Sequence, residues 1–306
     1  MLLPKAVTLC EVGLRDGLQN EKTILSTDEK LTLLRGLIDA GFRVIEVGSF
    51  MSPKSVPQMA DTDEVYKRIG EVPGVELRAL IPNLRGVQRA IDCGCKKVKL
   101  NVSASRQHNL KNLNMTPEQS VAGFAGCVEA ASAQGITVSG SISMPFASPW
   151  EGRTPIEDVD TIIEAYLKVG VTEISLSDAS GMAVPNQVHD LCMHVREKYP
   201  EATWWLHFHN TRGMAMANIL AAMEAGMAQF DSSFGGLGGC PFVPGAAGNI
   251  SSEDVIHMCD ECGIETGVDV VKVLGLSRRL RDLLDHNMES YILRAGRSCD
   301  LIGSKG

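Results

Sequence analysis

Short runs of β-branched and apolar residues recur along the chain, separated by longer stretches whose apolar positions follow helical spacing. Eight runs read as strands, at residues 6–12, 43–47, 76–81, 96–102, 136–143, 173–177, 203–209 and 229–233. A strand followed by an amphipathic stretch, repeated, is the pattern of βα units that pair in parallel. Three capping boxes mark helix starts: Ser26-Thr-Asp-Glu29, Thr116-Pro-Glu-Gln119 and Thr154-Pro-Ile-Glu157. In each, the first hydroxyl and the fourth side chain satisfy free N–H groups of the first turn. Gly41, Gly135, Gly170 and Gly226 fall just before the next strand, where helix C-caps belong. Eight such units fit an α/β fold closed as a (β/α)₈ TIM barrel better than an open doubly wound sheet. No GxGxxG or GxxxxGKS fingerprint follows the first strand, which agrees.

After Ser251 the chain reads as helix over 253–262 and 268–284, then as a tail carrying Arg294 and Arg297. No low-complexity linker divides the sequence. The expectation is one catalytic barrel domain over 1–306, with 251–306 as a C-terminal helical cover and the tail as cover or oligomer contact. Length alone leaves the count open, since roughly 150 residues is a usual domain and a barrel uses ~250.

Charge narrows the partners. The 29 Lys+Arg stand against 37 Asp+Glu, a formal net charge of −8, with no long basic run. Neutralising nucleic-acid phosphates needs the opposite balance. No apolar stretch approaches the ~20 residues that cross a bilayer, and the first residues show no basic and apolar leader pattern, so a cytoplasmic location is expected. The nine cysteines are odd in number and irregularly spaced, as for reduced thiols. Cys259-Asp-Glu-Cys262 has CxxC spacing but no second pair, and reads as packing; Cys93-Gly-Cys95 reads the same way.

A barrel carries its chemistry at the C-terminal ends of its strands. The first strand ends in Glu11-Val-Gly-Leu-Arg15-Asp16-Gly-Leu-Gln19-Asn-Glu21. Arg15 supplies fixed positive charge there and Asp16 can ligate a cation, or the two pair in a surface turn. The seventh strand ends His207-Phe-His209, and alternation puts both imidazoles on one side. Closure of the barrel brings Asp16, and Asn249 after the eighth strand, beside that pair. Two imidazole nitrogens and two oxygens without thiolate favour Mg²⁺ or Mn²⁺ over structural zinc. The loop from Gly235 to Gly245 is so rich in glycine that it reads as a lid, and Cys240 within it is either a proton-transfer thiol or a small packing residue. Glu46 and Asp178 fall at strand ends, where a carboxylate orients Arg15 or a histidine or else forms a structural salt bridge. His108, His189, His194, His257 and His286 read as surface or packing residues.

These segments, with Ser52-Pro-Lys-x-Val56-Pro-Gln-Met59, resemble the 3-hydroxy-3-methylglutaryl-CoA lyases, in the wider metal-dependent barrel group of isopropylmalate and homocitrate synthases. The resemblance spans nearly the whole chain, and the Gly-Gly-Cys-Pro loop separates it from the condensing synthases. It implies metal-dependent retro-Claisen cleavage of 3-hydroxy-3-methylglutaryl-CoA to acetyl-CoA and acetoacetate, leucine degradation being the family's usual setting. By resemblance, Asp16, His207, His209 and Asn249 hold the cation and Arg15 stabilises the thioester enolate. His207 or Asp178 moves the hydroxyl proton, and Cys240 protonates the acetyl-CoA carbanion. Glu46 and Glu253 support the site, and Gln19, Lys22 and Ser49 lie near the acyl-CoA. A homodimer through the C-terminal helices is the expected assembly.

The chain departs from the family pattern at Ser143-Met144-Pro-Phe146, where two cysteines are lost, at Asn210 after the histidine pair, and at Arg106. Arg106 suggests a different carboxylate or chain length. The alternatives are the same cleavage of another 3-hydroxy-3-carboxyalkyl-CoA, a condensing synthase, and a non-catalytic metal-binding barrel.

Overall fold

The computed structural model describes residues 3–239 and 247–300. Eight parallel strands close into a barrel in sequential order: β1 (Thr8–Glu11), β2 (Val44–Ser49), β3 (Glu76–Ile81), β4 (Lys97–Ser103), β5 (Thr137–Ser143), β6 (Glu173–Asp178), β7 (Thr203–Phe208) and β8 (Gln229–Ser232), with β8 pairing back to β1. All eight expected runs form strands. The first begins two residues late, because Ala6 pairs with Glu265 instead of β8.

The helices between strands are α1 (Thr27–Ala40), α2 (Thr62–Ile69), α3 (Leu84–Asp92), α4 (Arg106–Leu113), α5 (Pro117–Ala122), α6 (Phe124–Ser132), α7 (Ile156–Lys168), α8 (Pro185–Lys198) and α9 (Ala215–Glu224). α1 shows how the sequence makes one. Ser26 and Glu29 form the expected capping box, Leu31, Leu34 and Leu37 line one buried face, and Gly41 closes the helix at φ 112°. Each buried leucine contributes about 1.5–3 kcal/mol relative to exposure. The box at Thr116 forms too. The one at Thr154 does not: its hydroxyl donates to the Met144 carbonyl at 2.7 Å, and Pro155 takes the N-cap of α7. There the bond that anchors the β5–α7 connection has displaced the cap.

After β8 come α10 (Ser252–Glu261), α11 (Val270–Leu284) and α12 (Tyr291–Ala295). α11 packs along α1. The buried Asp254 of α10 accepts from Ser290 Oγ and the amides of Tyr291 and Ile292 at 2.9–3.1 Å, fixing the start of α12. Between α11 and α12, the Glu289 amide donates to the Gly235 carbonyl, so the C-terminal segment braces the chain leaving β8.

The apolar core lies between strands and helices. The barrel interior is different. Its inward positions carry Glu76, Arg78, Lys97 and Glu173 near the N-terminal end and Glu46, Lys99 and Asp231 above them, with a small apolar group of Cys10, Val12 and Trp205. Barrels usually fill this space with branched apolar side chains.

Candidate active site

The C-terminal mouth of the barrel opens on a cavity of about 350 Å³. At its base, β1 runs into a π-helical turn, Gly13–Gly17, in which the Val12 carbonyl accepts from the amides of Arg15, Asp16 and Gly17 at 2.7–3.2 Å. Such wide turns recur at functional sites, and this one directs both Arg15 and Asp16 into the barrel. Glu11 pins the turn: its carboxylate accepts from the amides of Gly13 and Phe234 and from Ser252 Oγ. Burial raises the Glu11 carboxyl to about 8 despite those bonds. Glu253 does the same one step along, accepting from the Gly235 amide and Ser251 Oγ.

Arg15 donates through Nε (2.9 Å) and Nη2 (2.6 Å) to one oxygen of Glu46, and through Nη1 to Asp16 at 2.5 Å. Burial disfavours the guanidinium charge, but Glu46 and Asp16 more than offset this and raise its pKa. Asp16 is buried as well, yet Arg15 and the two imidazoles hold its carboxyl well below the ordinary range.

His207 and His209 stand on the same side of the β7 end with their Nε2 atoms 3.1 Å apart. His209 Nε2 is 3.5 Å and His207 Nε2 4.0 Å from Asp16 Oδ2. Among the described residues, Asp16, His207 and His209 are the group whose donor atoms all lie within 4.8 Å of one another. Asn249, bridged to the His209 backbone, donates Nδ2 to Asp16 Oδ2 (2.7 Å) and to the Leu237 carbonyl (3.0 Å). Gly238 allows that approach: at φ +127°, a Cβ there would meet Asn249 Nδ2 at 2.4 Å.

Two imidazole nitrogens that face each other at 3.1 Å leave room for at most one proton between them, and His209 Nδ1 is buried without a hydrogen-bond partner among the described residues. With an ionised carboxylate beside them, these lone pairs form a donor set that a hard or borderline divalent cation satisfies. The residues present therefore fit the cation.

Across the barrel, Lys99, Asn101, Ser141, Ser143, Ser175 and Ser177 line the cavity, and α4 contributes His108 and Lys111 at the mouth. His108 and Lys111 both lie against Trp150, at 6.0 and 5.4 Å from its ring centre. Sequence reasoning assigned none of these to the site. The signal was present in Lys97-Val-Lys99-Leu-Asn101-Val-Ser103, where every second residue is polar. Asp231 was also passed over; it sits behind His207, with Oδ2 3.1 Å from Nδ1.

Other expected residues fall elsewhere. Gln19 lines the cavity and donates to Asp16 at 2.9 Å. Lys22 is exposed and Ser49 is buried, its hydroxyl accepting from the Met51 amide; neither lines the cavity. Asp178 accepts from Ser180 Oγ and the amides of Met182 and Ala183, bracing the β6–α8 turn, and does not line the cavity either. Arg106, expected to read a carboxylate, is exposed and paired with Glu118 on the surface. His108, expected to be a surface or packing residue, is buried at the mouth of the cavity, which lowers its pKa to about 4. Cys240 lies outside the described residues.

A closed (β/α)₈ barrel that gathers an arginine, a carboxylate and two imidazoles at its C-terminal mouth belongs to the class of barrel enzymes built around such loops. The HMGL-like family matches residues 6–279. The human mitochondrial hydroxymethylglutaryl-CoA lyase is 40% identical over 293 residues, covering 96% of this chain and 90% of its own. A Bacillus subtilis hydroxymethylglutaryl-CoA lyase is 37% identical over 298 residues, covering 97% and 100%. Among solved structures, an HMG-CoA lyase from Acinetobacter baumannii in complex with coenzyme A and 3-methylmalate superposes with a TM-score of 0.94 at 43% identity, covering 97% of each chain. This chain belongs to the HMGL-like family and is a lyase. No helix among the described residues is long and apolar enough to cross a membrane.

Proposed function

We propose that the protein cleaves 3-hydroxy-3-methylglutaryl-CoA to acetyl-CoA and acetoacetate with a bound Mg²⁺ or Mn²⁺. The observation that carries this reading is the convergence of Asp16, His207 and His209 beside the Arg15–Glu46 pair in a chain of the HMGL-like family. Asp16, His207, His209 and Asn249 would hold the cation, which supplies Lewis acidity to the substrate's C3 hydroxyl.

The C2–C3 bond breaks as the hydroxyl proton departs, C3 becomes the ketone of acetoacetate, and the electron pair moves onto C2 and the thioester oxygen. Arg15 is fixed for that moment. Glu46 holds its Nε and Nη2, so the guanidinium presents a set of oriented donors to the developing enolate oxygen without reorganising. C2 then takes a proton, which the reading assigns to Cys240. Of the two groups suggested for the hydroxyl proton, Asp178 has its oxygens committed to three donors, whereas His207 faces the cavity. An imidazole Nε2 engaged by the cation has no lone pair left, so ligand and base are alternatives for His207. His207→Asn separates them: metal lost marks a ligand, and metal kept with turnover lost marks the proton carrier.

The hydroxyl-rich wall of Asn101, Ser141, Ser143, Ser175 and Ser177 favours a second reading, the same cleavage of a related 3-hydroxy-3-carboxyalkyl-CoA. The test is mass spectrometry of products from both acyl-CoA classes, with Mn²⁺-loaded and EDTA-treated protein. Metal-dependent acetyl-CoA and acetoacetate support the first reading; 3-hydroxy-3-methylglutaryl-CoA left intact by metal-bound protein removes it.

A further inference from the structure

The site closes a ring of alternating charge around the barrel interior. Asp16 meets Arg15 at 2.5 Å, Arg15 meets Glu46 at 2.6 Å, and Glu46 Oε1 lies 3.5 Å from Lys99 Nζ. Lys99 Nζ lies 3.5 Å from Asp231 Oδ2, and that oxygen is 3.1 Å from His207 Nδ1. His207 and His209 complete the circuit back to Asp16. Lys99, 2% exposed, comes from β4 on the far side of the barrel and is the cation that joins the two carboxylates.

An ionised carboxylate only accepts hydrogen bonds, so the His207 nitrogen facing Asp231 must carry the hydrogen. The opposite tautomer would set a lone pair against a buried anion. A neutral imidazole with Nδ1–H has its Nε2 lone pair free, and here Nε2 faces Asp16 and His209. Glu46, at the other end of the Lys99 bridge, orients Arg15. We propose that Asp231 and Lys99 are positioning residues: Asp231 fixes His207 as the Nδ1–H tautomer, and Lys99 locks Asp231 and Glu46 so that the imidazole lone pair and the Arg15 guanidinium are presented together. The consequence for turnover rests on the lyase reading above; the tautomer does not.

The first test is long-range ¹H–¹⁵N correlation NMR of the metal-free full chain labelled at histidine, with His207 assigned by the signal lost in His207→Asn. An Nδ1–H tautomer is expected; Nε2–H or an imidazolium overturns the proposal, whether or not any variant folds. In Asp231→Asn, the tautomers should mix and calorimetric Mn²⁺ affinity should fall about 10–100-fold. Unchanged tautomer and affinity in that variant overturn the role of Asp231. Lys99→Met should lower kcat about tenfold with KM nearly unchanged. A higher KM at unchanged kcat makes Lys99 a substrate contact and overturns its role. If the wild-type protein leaves the acyl-CoA intact, the lyase reading falls, while the spectra and calorimetry still decide this one.

Discussion

Two charge clusters share the barrel interior, and they are built differently. Near the N-terminal end, Arg78 and Lys97 each pair with both Glu76 and Glu173, and Arg78 also lies 4.4 Å over the Trp205 ring. Two cations meet two carboxylates, and their charges balance. At the C-terminal mouth, Asp16, Glu46 and Asp231 pair among the described residues with Arg15 and Lys99, beside two imidazoles whose lone pairs converge. That cluster carries an excess of negative charge and unsatisfied donor atoms. Ion pairs that neutralise each other inside a protein hold structure; a set left short of positive charge is prepared for a ligand that brings it.

The largest effect should come from the cluster that lacks charge. His209→Ala is expected to lose bound metal and about 10³-fold in turnover together, since the Lewis acid supplies several kcal/mol. Normal metal content by atomic absorption would take His209 out of the ligand set. Next is Arg15→Lys, which keeps the charge but loses the planar fork held by Glu46. Its kcat should fall about 10²-fold with a smaller change in KM; a change confined to KM would make Arg15 a binding residue only.

The N-terminal cluster should answer in the opposite currency. Arg78→Met leaves the partly exposed Glu76 and Glu173 with Lys97 as their remaining partner and should cost about 1–3 kcal/mol in urea denaturation, with kcat changed less than about twofold in the folded protein. A variant of unchanged stability but reduced kcat would erase the distinction between the clusters.

The smallest effect concerns the mouth. Burial lowers the His108 pKa to about 4, against about 6.5 in the unfolded chain. The unfolded state therefore binds the proton first, so stability is fully present above about pH 6.5 and is lost as pH falls toward 4. His108→Gln should flatten that limb of the midpoint-against-pH curve. An unchanged limb would assign the acid sensitivity to other groups.

Much of this was legible in one dimension. Strand and helix follow from local periodicity, and the Ser26 and Thr116 boxes and the Gly41 cap from chemistry within a few residues, so they read directly from the chain. His207 and His209 share a face because strand alternation requires it, and Arg15 and Asp16 stand at a strand end for the same local reason. The limits appear where a residue's partner lies far away in sequence. Asp178 is at a strand end, yet the turn behind it consumes its oxygens. Arg106 and Glu118 meet on the surface because α4 and α5 adjoin, while His108, two residues later, turns inward. Lys99 is the clearest case. Its alternation with Lys97 and Asn101 shows in the sequence, but that this face points into the barrel, and that closure brings β2 and β8 within 3.5 Å of its ammonium, is decided only by the tertiary structure. Local sequence sets which side chains share a face; closure of the sheet sets which faces meet, and with them the pairing of every buried charge.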